Sequence, residues 1–296
     1  ETYSSNNLSE SGVYKYAEAE DFEILLFGYS LDFGPVEVID LKSGELLPDY
    51  IIRALSDRNV VKTAFNASFE RTCLSKYLGS ILDPQQWECT MVRGSMLGLP
   101  LSLKDVGEVL ELSDKKMSEG TDLIKYFSAP VKPTKANGMR TRNVPDDDPD
   151  KWTIFKKYNR RDVEVENEIR KRTKGFQLPP NEQDLYAVDQ RINDRGVMLD
   201  MTLVRNAIRM SAVYVGRLSA EAAKLTGLDN PNSVAQLKKW LSEETGSEVT
   251  TLNKKVMPDI VNAATSDAVK RLLEIRSEMG KTSIKKYYTM NAAVCH

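Results

Sequence analysis

The chain has 296 residues, 41% hydrophobic and 28% charged, with a formal net charge of −2. That is the balance of a soluble globular protein with one large domain or two ordinary ones, and no apolar run approaches the roughly 20 residues that span a bilayer. The single histidine is the last residue, His296, which argues against a His-based triad, a His general base or a His-ligated zinc site.

Charge is uneven along the chain. Residues 200–296 hold 14 Lys and Arg against 10 Asp and Glu, which leaves 27 against 33 over residues 1–199. An acidic first part can collect divalent cations, and a basic last part can meet phosphates. Cys73, Cys89 and Cys295 are odd in number, lack metal-type spacing and fit a reduced, cytoplasmic setting. The opening ETYSSNNLSE is polar and does not read as a signal peptide.

Taken in order, FEILLFGYSL (22–31) reads as a buried strand. PVEVIDL (35–41) alternates like a second strand, joined to it by a turn around Asp32–Gly34. LPDYIIRALS (47–56) reads as a helix and VVKTAFN (60–66) as a short buried strand. SFERTCLSKYLG (68–79) is then a helix stopped by Gly79. Residues 87–91 form another short strand. Residues 92–127 read as helical pieces, broken at Gly98–Pro100 and around Ser113. Residues 128–151 are a long surface loop whose basic half carries Lys132, Lys135, Arg140 and Arg142. KWTIFKKYNRRDVEVENEIRKRT is a helix, and QLPPNEQ (177–183) is a linker. Four helical patterns follow, with Ser233 as a cap. The last, TSDAVKRLLEIRSEMGKTSIKKYYTM, reads as one basic helix. Strands followed by packed helices predict an α/β fold with a mixed sheet, then a mainly helical region.

Three short segments carry the chemistry. The chain opens on Glu1-Thr2. Asn66-Ala-Ser-Phe69-Glu70 follows the third strand. Tyr158-x-x-x-Asp162 places a phenol and a carboxylate on one helix face. Taken singly, Tyr158 is a core residue, Asn66 a turn cap and Phe69 packing. Converging carboxylates can instead hold two divalent cations that activate water and stabilise a leaving oxygen. Without metal such groups repel one another.

In this order the segments resemble the three motifs of the DEDD superfamily of 3′–5′ exonucleases, with Tyr158 placing them in the DEDDy branch. AFNASFERTCL, LGLPLSLKDVGEVLEL and YNRRDVEVE resemble the proofreading half of family A DNA polymerases, phage versions in particular. QDLYAVDQRINDRGVMLD, NPNSVAQLKKWL and LLEIRSEMGKTSIKKYY resemble the segment leaving that domain and the thumb. The resemblance implies a ribonuclease H-like exonuclease domain over 1–176, a linker at 177–183 and a thumb region over 184–296. It implies Glu1, Glu70 and Asp162 as ligands of two Mg²⁺ or Mn²⁺ ions, with Tyr158 orienting the attacking water. Thr2, Asn66 and Phe69 match positions that contact the 3′-terminal strand. Lys281, Lys285 and Lys286 are expected to face duplex phosphates. DNA is the implied partner, single-stranded at the nuclease site and duplex at the thumb, with palm and fingers of the same polymerase beyond.

Two departures stand out. The D-x-E motif needs an Asp two residues before Glu1, which implies a start further upstream. Glu70 stands where Asp is usual, and one methylene moves a carboxylate by roughly 1.5 Å. No palm or fingers pattern follows KKYYTMNAAVCH, so no polymerisation is expected of this stretch alone. A DNA-gripping module without cleavage, and a ribonuclease D-type enzyme, remain the alternatives.

Overall fold

A computed structural model describes residues 1–112, 120–253 and 266–295. Two compact units divide the chain, the body of the first being Glu1–Val197 and the second Met198–Val294. No helix among the described residues is long and apolar enough to cross a membrane.

The first unit opens with β1 (Thr2–Tyr3) and α1 (Leu8–Glu18). Then come β2 (Glu23–Ile24), β3 (Phe27–Tyr29), β4 (Glu37–Ile39) and α2 (Asp49–Ser56). β5 (Lys62–Ala64), α3 (Ala67–Leu78), β6 (Trp87–Cys89), α4 (Thr90–Met96) and α5 (Leu103–Val109) follow. The unit closes with α6 (Gly120–Phe127), α7 (Pro149–Arg172) and α8 (Pro180–Arg195). Among the described residues the strands pair as three separate two-stranded ladders rather than one continuous mixed sheet. β1–β2 and β3–β4 are antiparallel, and β5–β6 is parallel.

The reason for the division lies in residues 22–31, expected as one strand. Leu25 and Leu26 both donate their N–H to Glu1 O, at 2.8 and 3.2 Å. Glu1 N donates back to Leu26 O at 2.7 Å. Two residues opposing one is a bulge, and it re-aims the strand. Before the bulge the segment pairs with β1, and after it with β4. Both leucines are turned inward, each 1% exposed.

α7 is the axis of this unit. Asp148 caps it by accepting from Lys151 N at 3.0 Å, Pro149 occupies the first turn, and Arg170, Lys171 and Arg172 close the last. Those are favourable ends for the helix dipole. Its 24 residues run about 36 Å, past β3, β4, α4, α5 and α6. Its inner face buries Trp152, Phe155, Tyr158, Val165 and Ile169. Trp152 Nε1 donates to Asp40 Oδ2 at 2.7 Å, fixing the chain after β4 against the helix. β3 lies close to α7 because residue 28 is Gly: a Cβ there would stand 2.5 Å from Asn159 Oδ1.

The expected linker at 177–183 is shorter than read, since α8 begins at Pro180. Proline cannot continue a helix, but at the first helical position its missing N–H costs nothing. α8 belongs to the first unit, and a buried ion pair shows why. Arg71 on α3 is 1% exposed and donates to Asp194 at 2.6 and 2.9 Å. The Tyr14 hydroxyl donates to the same carboxylate at 2.8 Å.

The second unit holds α9 (Met201–Thr226), α10 (Val234–Thr245), α11 (Asp267–Met279) and α12 (Lys285–Ala293). Ser233 caps α10 as expected. Leu218, Leu237, Leu241, Val269 and Leu272 are central to its core. The basic C-terminal pattern is two helices, not one. α11 stops at Gly280, and the Lys281–Ile284 stretch separates it from α12. Glycine gives up the most backbone freedom in a helix, and Thr282 and Ser283 add little propensity to offset it. The expected helix break near Ser113 lies outside the described residues.

Asp194→Ala leaves the Arg71 guanidinium buried without its counter-charge. The expected loss is about 3–5 kcal/mol of stability in the first unit, read by urea unfolding. A loss below about 1 kcal/mol would mean that the pair does not fasten α8.

Candidate functional site

The bulge fixes the backbone of Glu1, because both peptide faces of that residue are bonded to Leu25 and Leu26. Its neighbour Thr2 is buried and shares a 2.9 Å hydrogen bond with the Tyr16 hydroxyl. Tyr16 also meets Phe69, with ring centroids 6.1 Å apart. Thr2 and Phe69, far apart in sequence, are therefore linked through one side chain of α1.

α3 starts at Asn66, whose backbone is left-handed (φ 69°, ψ 49°), a conformation Asn tolerates better than most residues. Its exposed side chain makes no capping hydrogen bond. The cap is thus made by backbone shape, and the amide is not used for it.

Glu70 lies in the first turn of α3. The residue is part-exposed, yet its Oε2 is out of water and has no hydrogen-bond partner. Burial pushes its carboxyl up to about 8, and the negative charges of Glu166 and Glu1 push the same way. Cys73, one turn further along α3, is also buried, and its thiol is raised to about 12 by burial and by Glu70.

α7 supplies Tyr158 and Asp162. Tyr158 is 1% exposed, stacked parallel on Phe155 with centroids 6.1 Å apart. Gly120 packs against the same ring, so closely that a Cβ there would clash with Tyr158 Cε2. The Tyr158 hydroxyl is hydrogen-bonded to Asp162. Burial raises its pKa first, and the charges of Asp162 and Glu1 raise it further. It is therefore a protonated hydrogen-bond donor at neutral pH. Both expectations about YNRRD hold in part: Tyr158 is core, and its polar end faces the carboxylate one turn away.

Glu1 thus reaches electrostatically to Glu70 on one side and to Tyr158 on the other. Three separate stretches of sequence are linked through Glu1: its charge acts on Glu70 of α3 and on Tyr158 of α7, and Tyr158 is bonded to Asp162. The donor chemistry, all carboxylate oxygen with one orphaned Oε2, suits a hard divalent cation. Among the described residues, however, no three His, Cys, Asp or Glu side chains already stand as a group able to hold one.

Glu166 was not singled out from the sequence. It continues the stripe 158–162–166–170 at four-residue spacing, and that spacing in YNRRDVEVENEIR was the available signal. Thr90 Oγ1 donates to its Oε1 at 2.9 Å. Burial raises its pKa, while the Thr90 bond, Arg170 and Arg93 lower it. Gly120 was also missed, since a glycine flat against an aromatic ring leaves no periodic mark.

Lys281, Lys285 and Lys286 lie in the second unit and are exposed. Lys281 is in the break after α11, and the other two start α12. They do not lie on the single basic helix expected. In the 128–151 loop, Arg140 pairs with Asp147 and Arg142 with Glu23. The Arg142 guanidinium also covers the Tyr3 ring at 3.6 Å. Those two arginines are committed inside the fold, and Lys132 and Lys135 are exposed.

The chain resembles a stretch of a phage polymerase. It is 50% identical over 295 residues to a protein of Bacillus phage SP02 described as a DNA polymerase. The match takes in 100% of this chain and 45% of that protein, so the chain spans somewhat less than half the length of this relative. No protein-family model matches the chain.

A carboxyl raised to about 8 from an ordinary 4.5 makes a pH prediction. Between those values the folded chain holds a proton that the unfolded chain gives up. Stability therefore falls as pH rises through that window and levels off above it. In EDTA the melting temperature should fall from about pH 5 to about pH 8, and Glu70→Gln should flatten the fall. An equal slope in the variant would place the cause elsewhere.

Proposed function

We propose that this chain is the 3′–5′ exonuclease portion of a phage-type family A DNA polymerase, with a ribonuclease H-like first unit and a thumb-like helical second unit. The observation that carries this is that the charge of Glu1 acts on both Glu70 and Tyr158, whose hydroxyl is bonded to Asp162. The similarity to a phage protein described as a DNA polymerase supports it.

In this reading Glu1, Glu70 and Asp162 would hold two divalent cations, Mg²⁺ or Mn²⁺. When bound, the cations supply the charge that activates water and stabilises the leaving oxygen. Tyr158, whose one O–H goes to Asp162, accepts a hydrogen bond from the attacking water on its hydroxyl oxygen and orients it. Water attacks the terminal phosphodiester. A nucleoside 5′-monophosphate departs, and the 3′ oxygen of the shortened strand takes a proton. Thr2 and Phe69, linked through Tyr16, shape the wall near the terminal nucleotide. Asn66, exposed and uncommitted, is free to bond to that strand. Glu166 adds a fourth carboxylate that helps attract cations. Exposed Lys281, Lys285 and Lys286 would meet duplex phosphates.

The test is trimming of 5′-labelled single-stranded DNA, with a matched RNA, in Mg²⁺, Mn²⁺ or EDTA. It would use the chain as printed and the same chain preceded by an Asp-x dipeptide that completes D-x-E. DNA should shorten from the 3′ end only with a cation. Asp162→Asn should abolish trimming, and Tyr158→Phe should slow it about 10²-fold or more. Binding of DNA without trimming by either form would favour the gripping module. Preference for RNA would favour the ribonuclease D type.

A further inference from the structure

The turn between β3 and β4 carries a feature that the carboxylate site does not explain. Gly34 N donates to Leu31 O at 2.8 Å. The two central residues are both left-handed, Asp32 at φ 48° and Phe33 at φ 64°. Such turns ordinarily carry Asn-Gly, because glycine takes the second position without strain. In Leu31-Asp-Phe-Gly34 the glycine comes one place late, and a phenylalanine takes the strained position. Strain of that kind persists where something is gained for it. Core burial is not the gain: Phe33 stays part-exposed, and Leu31 beside it is 53% exposed.

α7 holds the ring. The Arg170 guanidinium carbon lies 4.7 Å from the Phe33 ring centroid and Lys171 Nζ 6.0 Å. The charge of Asp32 faces the same arginine. Arg170 is the next member of the stripe that carries Asp162 and Glu166, about 12 Å along the helix from Asp162. An aromatic face backed by two cations therefore stands at the end of a row of carboxylates. That combination suits a single nucleic-acid strand: bases stack on aromatic faces regardless of sequence, and cations offset the phosphates.

We propose that Phe33, backed by Arg170, is a base-stacking subsite for a single DNA strand, a few nucleotides from the end that reaches Asp162. Its direction along the strand rests on the exonuclease reading; its existence as a binding site does not.

The test uses single-stranded DNA with 2-aminopurine placed at successive positions from the 3′ end, bound in EDTA or Ca²⁺ so that nothing is cut. One internal position should be quenched by the wild-type chain. Phe33→Gly should abolish that quenching and weaken binding roughly tenfold, while Phe33→Tyr keeps both. Because glycine fits φ 64°, Phe33→Gly should melt no lower than the wild type, so the two readouts separate. A melting change with unaltered quenching and affinity would make Phe33 a turn residue only and overturn the proposal. Failure of the wild-type chain to bind the strand would overturn it too. If the chain trims DNA but is blind to Phe33→Gly, the subsite fails and the exonuclease reading stands. If it never trims, yet Phe33→Gly loses quenching and affinity, the subsite stands and the exonuclease reading falls.

Discussion

The first unit holds a carboxyl, Glu70, that burial keeps protonated up to about pH 8. Glu70 ends in an oxygen that is out of water and without a donor, and Glu1 and Glu166 deepen the field around it. Ionising such a group without a partner would cost several kcal/mol, so it keeps its proton instead. The neighbouring structure is built to hold it there. The bulge at Leu25–Leu26 grips Glu1 from both peptide faces. α3 is started by the backbone of Asn66 and stopped by Gly79. Tyr158 is packed against both Phe155 and Gly120. These devices spend stability on position, which is the usual mark of a working site.

Rigid support extends beyond the carboxylates. Arg71 follows Glu70 in sequence and is buried against Asp194 near the end of α8. The same helix turn that presents Glu70 is therefore fastened to the helix that leads toward the second unit. A change at Asp194 reaches the carboxylate through one covalent step and one ion pair. On α7, the ladder of Tyr158, Asp162, Glu166 and Arg170 sets acid and base on one face in a fixed order. Along this ladder the side chains change from carboxylates to a guanidinium.

Much of this was legible in the sequence. Helix ends marked by Gly79 and Ser233 were found where expected because caps are local chemistry. Tyr158 and Asp162 were recognised by four-residue spacing, which survives any packing arrangement. The sheet was not legible, because the partner switch at Leu25–Leu26 depends on Glu1, two dozen residues away. The α8 start was masked by Pro179–Pro180, a pair that breaks one helix and begins another. The C-terminal basic helix was overread because its periodicity runs across Gly280, where backbone preference prevails over pattern. Phe33 was invisible because only a φ angle reveals its strain.

The central claim is that the carboxylates of three separate segments form one site completed by divalent cations. Calorimetric titration with Mn²⁺ near pH 7.5, in two buffers of different protonation heat, tests it most directly. Cation binding should release protons, because Glu70 is partly protonated when its pKa is near 8. Glu70→Gln and Asp162→Asn should each weaken binding by tenfold or more. Binding that releases no proton and is indifferent to both substitutions would contradict the account.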